Sequence, residues 1–405
     1  MTTKLRPAFW LLGCLLFLAL GRDFLANGRP LYCRIEGVSF WPGLRTLWAN
    51  ENIPYGHSTL DSIRVNNLWK SYTYESAVFA PIPFSPGEIA PPVTGRARPG
   101  DLHPELPGTF RHWLGTDDRG RDVAAGLVSG ARIAVLTGVT AMAMAMGIGL
   151  LLGALAGFWG DDRLQVGRGR LWLTLLGLLP AWFYAFTARQ YALAVAENSG
   201  EWVRSLAIFC GIMLLFNGLG WLLGKFPFFA KTITIPADLL IMRLAEVFNS
   251  IPKLIFVIAV AALTPQGQSI WLMIALIGAM SWTGVARFVR ADLLRVRELD
   301  FVTAARGLGL PESRVLLRHA LPNALRSTLI AFAFGVAGAV LLEAALSFLG
   351  FGGDEFRGKS WGSLLNSARS YPTDWWVALP PGLAICVTVL ALNAIGEVLS
   401  AGRKS

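Results

Sequence analysis

The sequence predicts an all-α membrane protein with about eight transmembrane helices and one long polar segment after the first. Three observations carry this prediction. Of the 405 residues, 54% are hydrophobic and 15% charged, against about 25% charged in an ordinary soluble chain, and the mean hydropathy is +0.51. The apolar residues gather in runs of about 20, the length that crosses a bilayer. The loops between the runs alternate in charge, as loops on alternate sides of a membrane do.

The first run, 7–26, follows Lys4 and Arg6 and ends at Arg22 and Asp23. Its position is that of a signal peptide, but it has no small-x-small cleavage site. It reads as a retained helix (1–26) with the N-terminus inside. Residues 27–120 are polar, rich in Pro, Gly and Trp, and contain no spanning run. They lie outside and are expected to pack loosely on the membrane helices. Pro-dense stretches such as Pro81-Ile82-Pro83 cannot form long helices.

A run over 130–159, within a first core region 121–160, returns the chain to the inside. Gly149, Gly153 and Gly157 recur on it every four residues, a small-residue stripe that lets another helix approach closely. Segment 161–236 adds a pair of spans, 171–192 and 202–223. The loop before them carries Arg163, Arg168 and Arg170, the loop between them Glu197 and Glu201, and the loop after them Lys225 and Lys231. That is the order in, out, in. Arg189, near the outer end, is placed to snorkel to the headgroups.

The remainder, 237–405, supplies spans 237–263, 270–288, 325–349 and 376–399. The loop 264–269 is uncharged and outside. Arg287, Arg290, Arg295, Arg297, Arg306, Arg314, Arg318 and Arg326 place the intervening loop, 289–324, inside, and Arg403 with Lys404 does the same for the C-terminus.

Composition also excludes several chemistries. Cys14, Cys210 and Cys386 fall in apolar runs and Cys33 stands alone, with no C-x-x-C or Cys/His spacing for a metal. His57, His103, His112 and His319 are scattered and read as surface residues. The net charge of +10 is the basic excess of the inner loops, not a nucleic-acid surface. Gly353–Ser360 satisfies the phosphate-loop pattern G-x-x-x-x-G-K-S, but no strand precedes it, Asp354 and Glu355 would repel phosphate, and it lies outside. Metal-binding and catalytic residues are therefore not assigned.

The inner loop is the most informative segment. Asp300 is a candidate helix N-cap. Phe301, Ala304, Ala305 and Leu308 follow at helical spacing as a narrow apolar stripe, Gly309 fits the position just past the helix end, and Pro311 suits the first turn of a second helix ending near Pro322. The spacing alone leaves two uses open: docking into the groove of a soluble partner, or lying in the lipid interface. Two further candidates sit within the spans. Asn249, Ser250 and Pro252 interrupt one, where Pro252 should kink the helix and free carbonyls for a pathway. Glu343 is an intramembrane carboxylate and so a functional candidate, with a loop Arg or a backbone amide as its expected partner.

The stretch Asp300–Asn323 resembles the coupling loop of ABC importer permeases: paired alanines (Ala304, Ala305), three residues, a glycine (Gly309), then Leu321 and Pro322. It departs from that pattern at Thr303, where the family has Glu, and at His319, where it has an apolar residue. Two more segments, GTDDRGRDVAAGLVSGARI (115–133) and EAALSFLGFG (343–352), resemble the C-type permeases of dipeptide and oligopeptide importers. ANGRPLYCRIEG (26–37) is similar to their Yej-type branch. The likeness covers about 1–160 and 237–400, and 161–236 has no counterpart in it.

The resemblance implies a type I ABC importer permease fold in the bacterial inner membrane, with 27–120 periplasmic and both termini cytoplasmic. It implies a second permease subunit, two ATPase subunits that hold the ATP and Mg, a periplasmic solute-binding protein, and no cofactor on this chain. Asp300, Phe301, Ala304, Ala305, Gly309, Leu321 and Pro322 would form the ATPase contact. Peptide is the implied cargo, with nickel, opines or a peptide-like antibiotic requiring few changes. The alternative of a proton-driven secondary transporter predicts an internal repeat and several intramembrane carboxylates. No repeat is visible, and Glu246 and Glu343 are the clear candidates. A membrane hydrolase would need a nucleophile and base that the sequence lacks.

Overall fold

In lipid, only a helix or a closed barrel satisfies every backbone group, so the long apolar runs fold as helices and the short polar stretches connect them. The computed structural model describes residues 6–45, 53–89, 96–103, 106, 110–194, 200–224, 226, 231–263, 269–352 and 358–401. The chain forms two compact units, Met1–Gly153 with Ala245–Ser405, and Ala154–Leu244. The charges at Glu197, Lys225, Arg403 and Lys404, and the uncharged loop 264–268, lie outside the described residues.

In chain order the elements are α1 (Arg6–Leu20), α2 (Arg22–Leu25), β1 (Tyr32–Ile35), β2 (Val38–Phe40), α3 (Pro42–Arg45), α4 (Ser58–Val65) and β3 (Ser76–Val78). Then come α5 (Val123–Ala154), β4 (Gln165–Gly167), α6 (Arg168–Trp182), α7 (Gln190–Ala194), α8 (Gly200–Leu223), β5 (Thr232–Thr234), α9 (Ala237–Ser250) and α10 (Lys253–Ala262). The last are α11 (Ile270–Val296), α12 (Asp300–Gly307), α13 (Glu312–Val315), α14 (Leu321–Phe348), α15 (Trp361–Ala368) and α16 (Trp375–Ala401).

Among the described residues, five helices are long and apolar enough to cross a membrane: Val123–Trp159, Gly200–Leu223, Ile270–Val296, Thr328–Phe348 and Trp375–Ser400. The pair α9 and α10, bent by 74° at its break, makes a sixth if it crosses as one. Two runs read as spans from sequence fall short as single helices. α1 has 15 residues, about 22 Å at 1.5 Å per residue against a hydrocarbon core of about 30 Å. α6 also has 15 residues and passes into a π-helical turn, Phe183–Thr187.

The polar segment is better ordered than its composition suggests. β1 pairs antiparallel with β2 on one side and β3 on the other. The β1–β2 hairpin turns at Glu36 and Gly37, with φ of 51° and 76°, the two positive values a tight twisted hairpin needs. Behind the sheet, Cys33, Ile35, Leu60, Ile63 and Trp69 form a core flanked by Phe40, Tyr55, Tyr72 and Tyr74. Arg96 holds Asp374 at 2.8 Å, just before α16. The expectation of loose packing is thus corrected: strands of three or four residues are too short to show a period, so the core they support was not visible.

Two of the scattered histidines also prove to be buried rather than at the surface. His112 is 2% exposed and His103 6%. Both stack on Phe84, with ring centroids 4.1 and 6.1 Å away, and His112 Nδ1 lies 2.8 Å from the Asp122 carboxylate.

Unit Ala154–Leu244 is built on α6 and α8, which pack side by side. β4 and β5 pair antiparallel at the base of this hairpin. Without a hydrophobic drive between helices in lipid, small residues and polar contacts hold such a pair. Phe216 packs over Gly177, and Arg170 Nε donates to Asn217 Oδ1 at 2.6 Å, whose amide donates to Thr174 at 3.1 Å. At the far end Arg189 pairs with Glu201. A carboxylate across the hairpin takes the place of the headgroup contact expected for this arginine.

In the other unit the small-residue stripe on α5 sets the helix spacing. A Cβ at Gly149 would lie 2.8 Å from the Trp282 carbonyl oxygen, and one at Gly153 would lie 2.6 Å from that of Ala286, so α11 crosses α5 nearly backbone to backbone. α14 packs on α11, α15 and α16.

Candidate functional site

The hairpin made by α12 and α13 is fixed by local chemistry. α12 begins one residue earlier than its cap chemistry suggests: Leu299 is the N-cap with extended backbone, and Asp300 is the first helical residue. An aspartate at this end still meets the positive end of the helix dipole, so Asp300 serves the helix without capping it. At the other end Gly309 takes a φ of 76°. Its N–H donates to the Arg306 carbonyl at 2.9 Å and the Leu310 N–H to that of Ala305 at 3.4 Å, the paired bonds of a Schellman close. Arg306 then clamps the turn, donating to both Glu312 oxygens at 2.9 and 3.3 Å and to the Arg297 carbonyl at 3.3 Å.

The stripe read from sequence divides between two faces. Val302, fully buried, and Ala305, 6% exposed, turn inward, as α12 packs against α13 and the π-helical turn beyond it. Phe301 (41% exposed), Ala304 and Leu308 (81% exposed) point outward. A helix of eight residues shows about two turns, too few for a periodicity to tell its two apolar faces apart. The second helix does not end near Pro322. Pro311 is its N-cap, and from Glu312 it runs through the π-helical turn Leu316–Ala320 directly into α14. The wide turn just before Pro322 absorbs the missing N–H without a break. Leu321 is half-buried and Pro322 exposed there.

Within the membrane-capable helices lies a cavity of about 460 Å3 walled by α5, α10, α11 and α14. Its lining is mostly apolar, with Ser281 and Lys253 as polar members; Lys253 is its one charged residue among those described. The break predicted at Pro252 is present, since α9 stops at Ser250 and Lys253 opens α10. Asn249 accepts from the buried Thr283 hydroxyl at 3.0 Å, and Ser250 donates to the Val247 carbonyl at 2.7 Å. Asn249, Ser250, Pro252 and Glu343 are not in the cavity lining, whereas their neighbours Lys253 and Leu342 are.

The sequence has clear relatives. The family described as binding-protein-dependent transport system inner membrane component matches residues 217–404. A Brucella suis protein named as a peptide permease is 30% identical over 297 residues, which is 72% of this chain and 72% of its own length. The chain belongs to this family of inner-membrane transport components. A second Brucella suis protein, named as a peptide transport system permease, is 42% identical over 164 residues, 40% of this chain and 54% of its own length. The oligopeptide transport system permease protein OppC of Haemophilus influenzae is 37% identical over 163 residues, 40% of this chain and 51% of its own length.

In this permease the turn that opens the 115–133 motif meets the loop before α15. Within 115–133, Gly120 takes a φ of 76° and its N–H donates to the Asp117 carbonyl at 3.1 Å, closing the turn. The Asp117 carboxylate accepts the N–H groups of Arg119 and Arg121 at 3.0 and 2.9 Å, and Asp122 caps α5 through the Ala125 N–H at 2.8 Å. The second oxygen of Asp117 pairs with Lys359. Burial pushes the Lys359 ammonium below its ordinary value while Asp117 pushes back.

Lys359 is the lysine of the phosphate-loop pattern. It is turned into the protein, and Ser360, the next residue, caps α15 through the Ser363 N–H at 3.2 Å. The start of that pattern, 353–357, lies outside the described residues. The 343–352 motif ends α14 in a second Schellman close, with the Gly350 N–H on Ser347 and that of Phe351 on Leu346. Glu343, 3% exposed, accepts from the Ser347 hydroxyl at 2.7 Å, so a serine of its own helix contacts it where a loop Arg or backbone amide was expected.

Proposed function

We propose that this permease is one of two membrane subunits of an ATP-driven importer for peptides or peptide-like solutes in the bacterial inner membrane. The observation that carries the reading is the α12 face: Phe301, Ala304 and Leu308 exposed on a hairpin that the Gly309 close and the Arg306–Glu312 clamp hold rigid. An exposed apolar knob with a rigid base fits a groove on a soluble subunit. Phe301 and Leu308 together would contribute roughly 2–4 kcal/mol if their remaining exposed surface were buried there. The names of the relatives in Brucella suis and Haemophilus influenzae support peptide as cargo.

In this account the chain makes eight crossings, with α1, the α6–α7 stretch and the α9–α10 pair included and both termini in the cytoplasm. Residues 27–120 face the periplasm and meet a solute-binding protein. ATP and Mg stay on two ATPase subunits, and this chain binds no cofactor and performs no hydrolysis. Closure of the ATPase pair moves α12. The direct continuation of α13 into α14 carries that motion into the wall of the cavity. Asp300, Ala305, Leu321 and Pro322 support the docking face from beneath and behind.

The test is co-purification from membranes of the complete complex. Leu308→Glu is expected to release the ATPase while the chain stays inserted and paired with its partner permease. ATPase retention at the wild-type level would remove α12 as the docking element.

A further inference from the structure

Lys253 stands out among the groups that this account leaves without a task. It opens α10, directly after the helix break, and lines the 460 Å3 cavity among apolar and small neighbours. No carboxylate pairs with it among the described residues. A charged side chain at membrane depth is costly, and such groups face cavities and mark the route of a substrate or ion. Two glycines of the lining, Gly284 on α11 and Gly338 on α14, have no other atom within 4 Å of where a Cβ would stand. They leave the space in front of the lysine open rather than packing a neighbouring helix.

We propose that Lys253 sets the charge preference of the cargo by meeting a carboxylate of the peptide as it crosses the cavity. This rests on the peptide reading above. An unpaired ammonium in an apolar-walled space attracts an anionic group far more strongly than it would in water, and it repels a cationic one. The pairing is transient, so the lysine discriminates between peptides without having to hold any of them. Gly284 and Gly338 provide clearance for side chains of either kind.

The experiment is competitive uptake by the complete importer, with its own binding protein, of alanyl-glutamyl-alanine and alanyl-lysyl-alanine in reconstituted vesicles. The same binding protein serves every variant, so a change in the uptake ratio reads this chain alone. Lys253→Met is expected to lower the acidic-to-basic ratio about tenfold, the equivalent of about 1.4 kcal/mol. Lys253→Arg should keep the ratio, and Lys253→Glu should invert it. Gly338→Leu should slow both peptides with the ratio unchanged.

A ratio unmoved by Lys253→Met, in a complex assembled at the wild-type level, would overturn the proposal. An equal loss of both peptides would do the same, since that is what a lysine anchoring the helix break to lipid phosphate would give. If the wild-type complex took up neither peptide, the peptide reading itself would fall and this inference with it. That result is distinct from uptake with an unchanged ratio.

Discussion

Replacing Lys359 by methionine should destabilise the permease and should do so non-additively with its partner. The Asp117 side chain is fully buried and that of Lys359 is 5% exposed. One carboxylate oxygen keeps its two backbone donors, Arg119 and Arg121, but the other would face a methyl group in place of an ammonium. Removing one member of a buried ion pair costs about 3–5 kcal/mol, because it strands the other charge. Asp117→Asn alone leaves the ammonium buried and should cost a comparable amount. The double variant removes both charges and keeps the turn's backbone bonds, so its cost should fall below the sum of the two singles by about 2 kcal/mol or more.

The contact spans 242 residues of sequence and joins the loop before α5 to the loop before α15, so its loss is global. Trp376 is a natural reporter, because its ring N–H donates to the Thr116 carbonyl at 3.2 Å, next to Asp117. Thermal unfolding in detergent, followed by tryptophan fluorescence, should show Lys359→Met melting about 5 °C below the wild type. A melting temperature equal to the wild type's, or a double variant as unstable as the sum of the singles, would refute this reasoning.

Two other expectations bear on local structure. At Gly309 an added Cβ meets no atom within 4 Å, so Gly309→Ala costs only the left-handed backbone, about 1–2 kcal/mol; tryptic cleavage of the hairpin should speed up about tenfold, and Gly309→Asn should fall between. In the polar segment, the N–H groups of Tyr55 and Gly56 donate to Asp61 at 2.7 and 3.1 Å, and the Tyr55 bond above all holds its carboxyl below the ordinary value. The folded value is the lower one, so this support is fully present above about pH 4 and lost as the pH falls through the folded value. Hydrogen exchange at 55–65 should accelerate in that acid window in the wild type and lose this pH dependence in Asp61→Asn.

The long apolar helices were legible in the sequence because they rest on a long-range average, about twenty apolar residues in a row. The Gly149–Gly153 stripe and the Gly309 turn were legible because backbone geometry there admits little else. Contacts between residues far apart in the chain were not legible. The Asp117–Lys359 pair and the stacking of His103 and His112 on Phe84 bring together residues that no local pattern connects. The inward turn of Ala305 and the outward turn of Leu308 depend on how α12 lies on its neighbour. Nor does the position of Lys253 next to Pro252 reveal its role, since only the bend between α9 and α10 shows that it faces the cavity.

A charge at Ala304, introduced as Ala304→Glu, probes the outward face of α12. Ala304 is exposed, so the change leaves the fold and insertion intact while placing a charge in the middle of the docking surface. Peptide uptake and ATP hydrolysis are measured together on the complete complex, with Ser313→Glu, an exposed position on α13, as the control. Ala304→Glu should abolish uptake while Ser313→Glu leaves it intact. Unimpaired uptake by correctly inserted Ala304→Glu protein would contradict docking through this face.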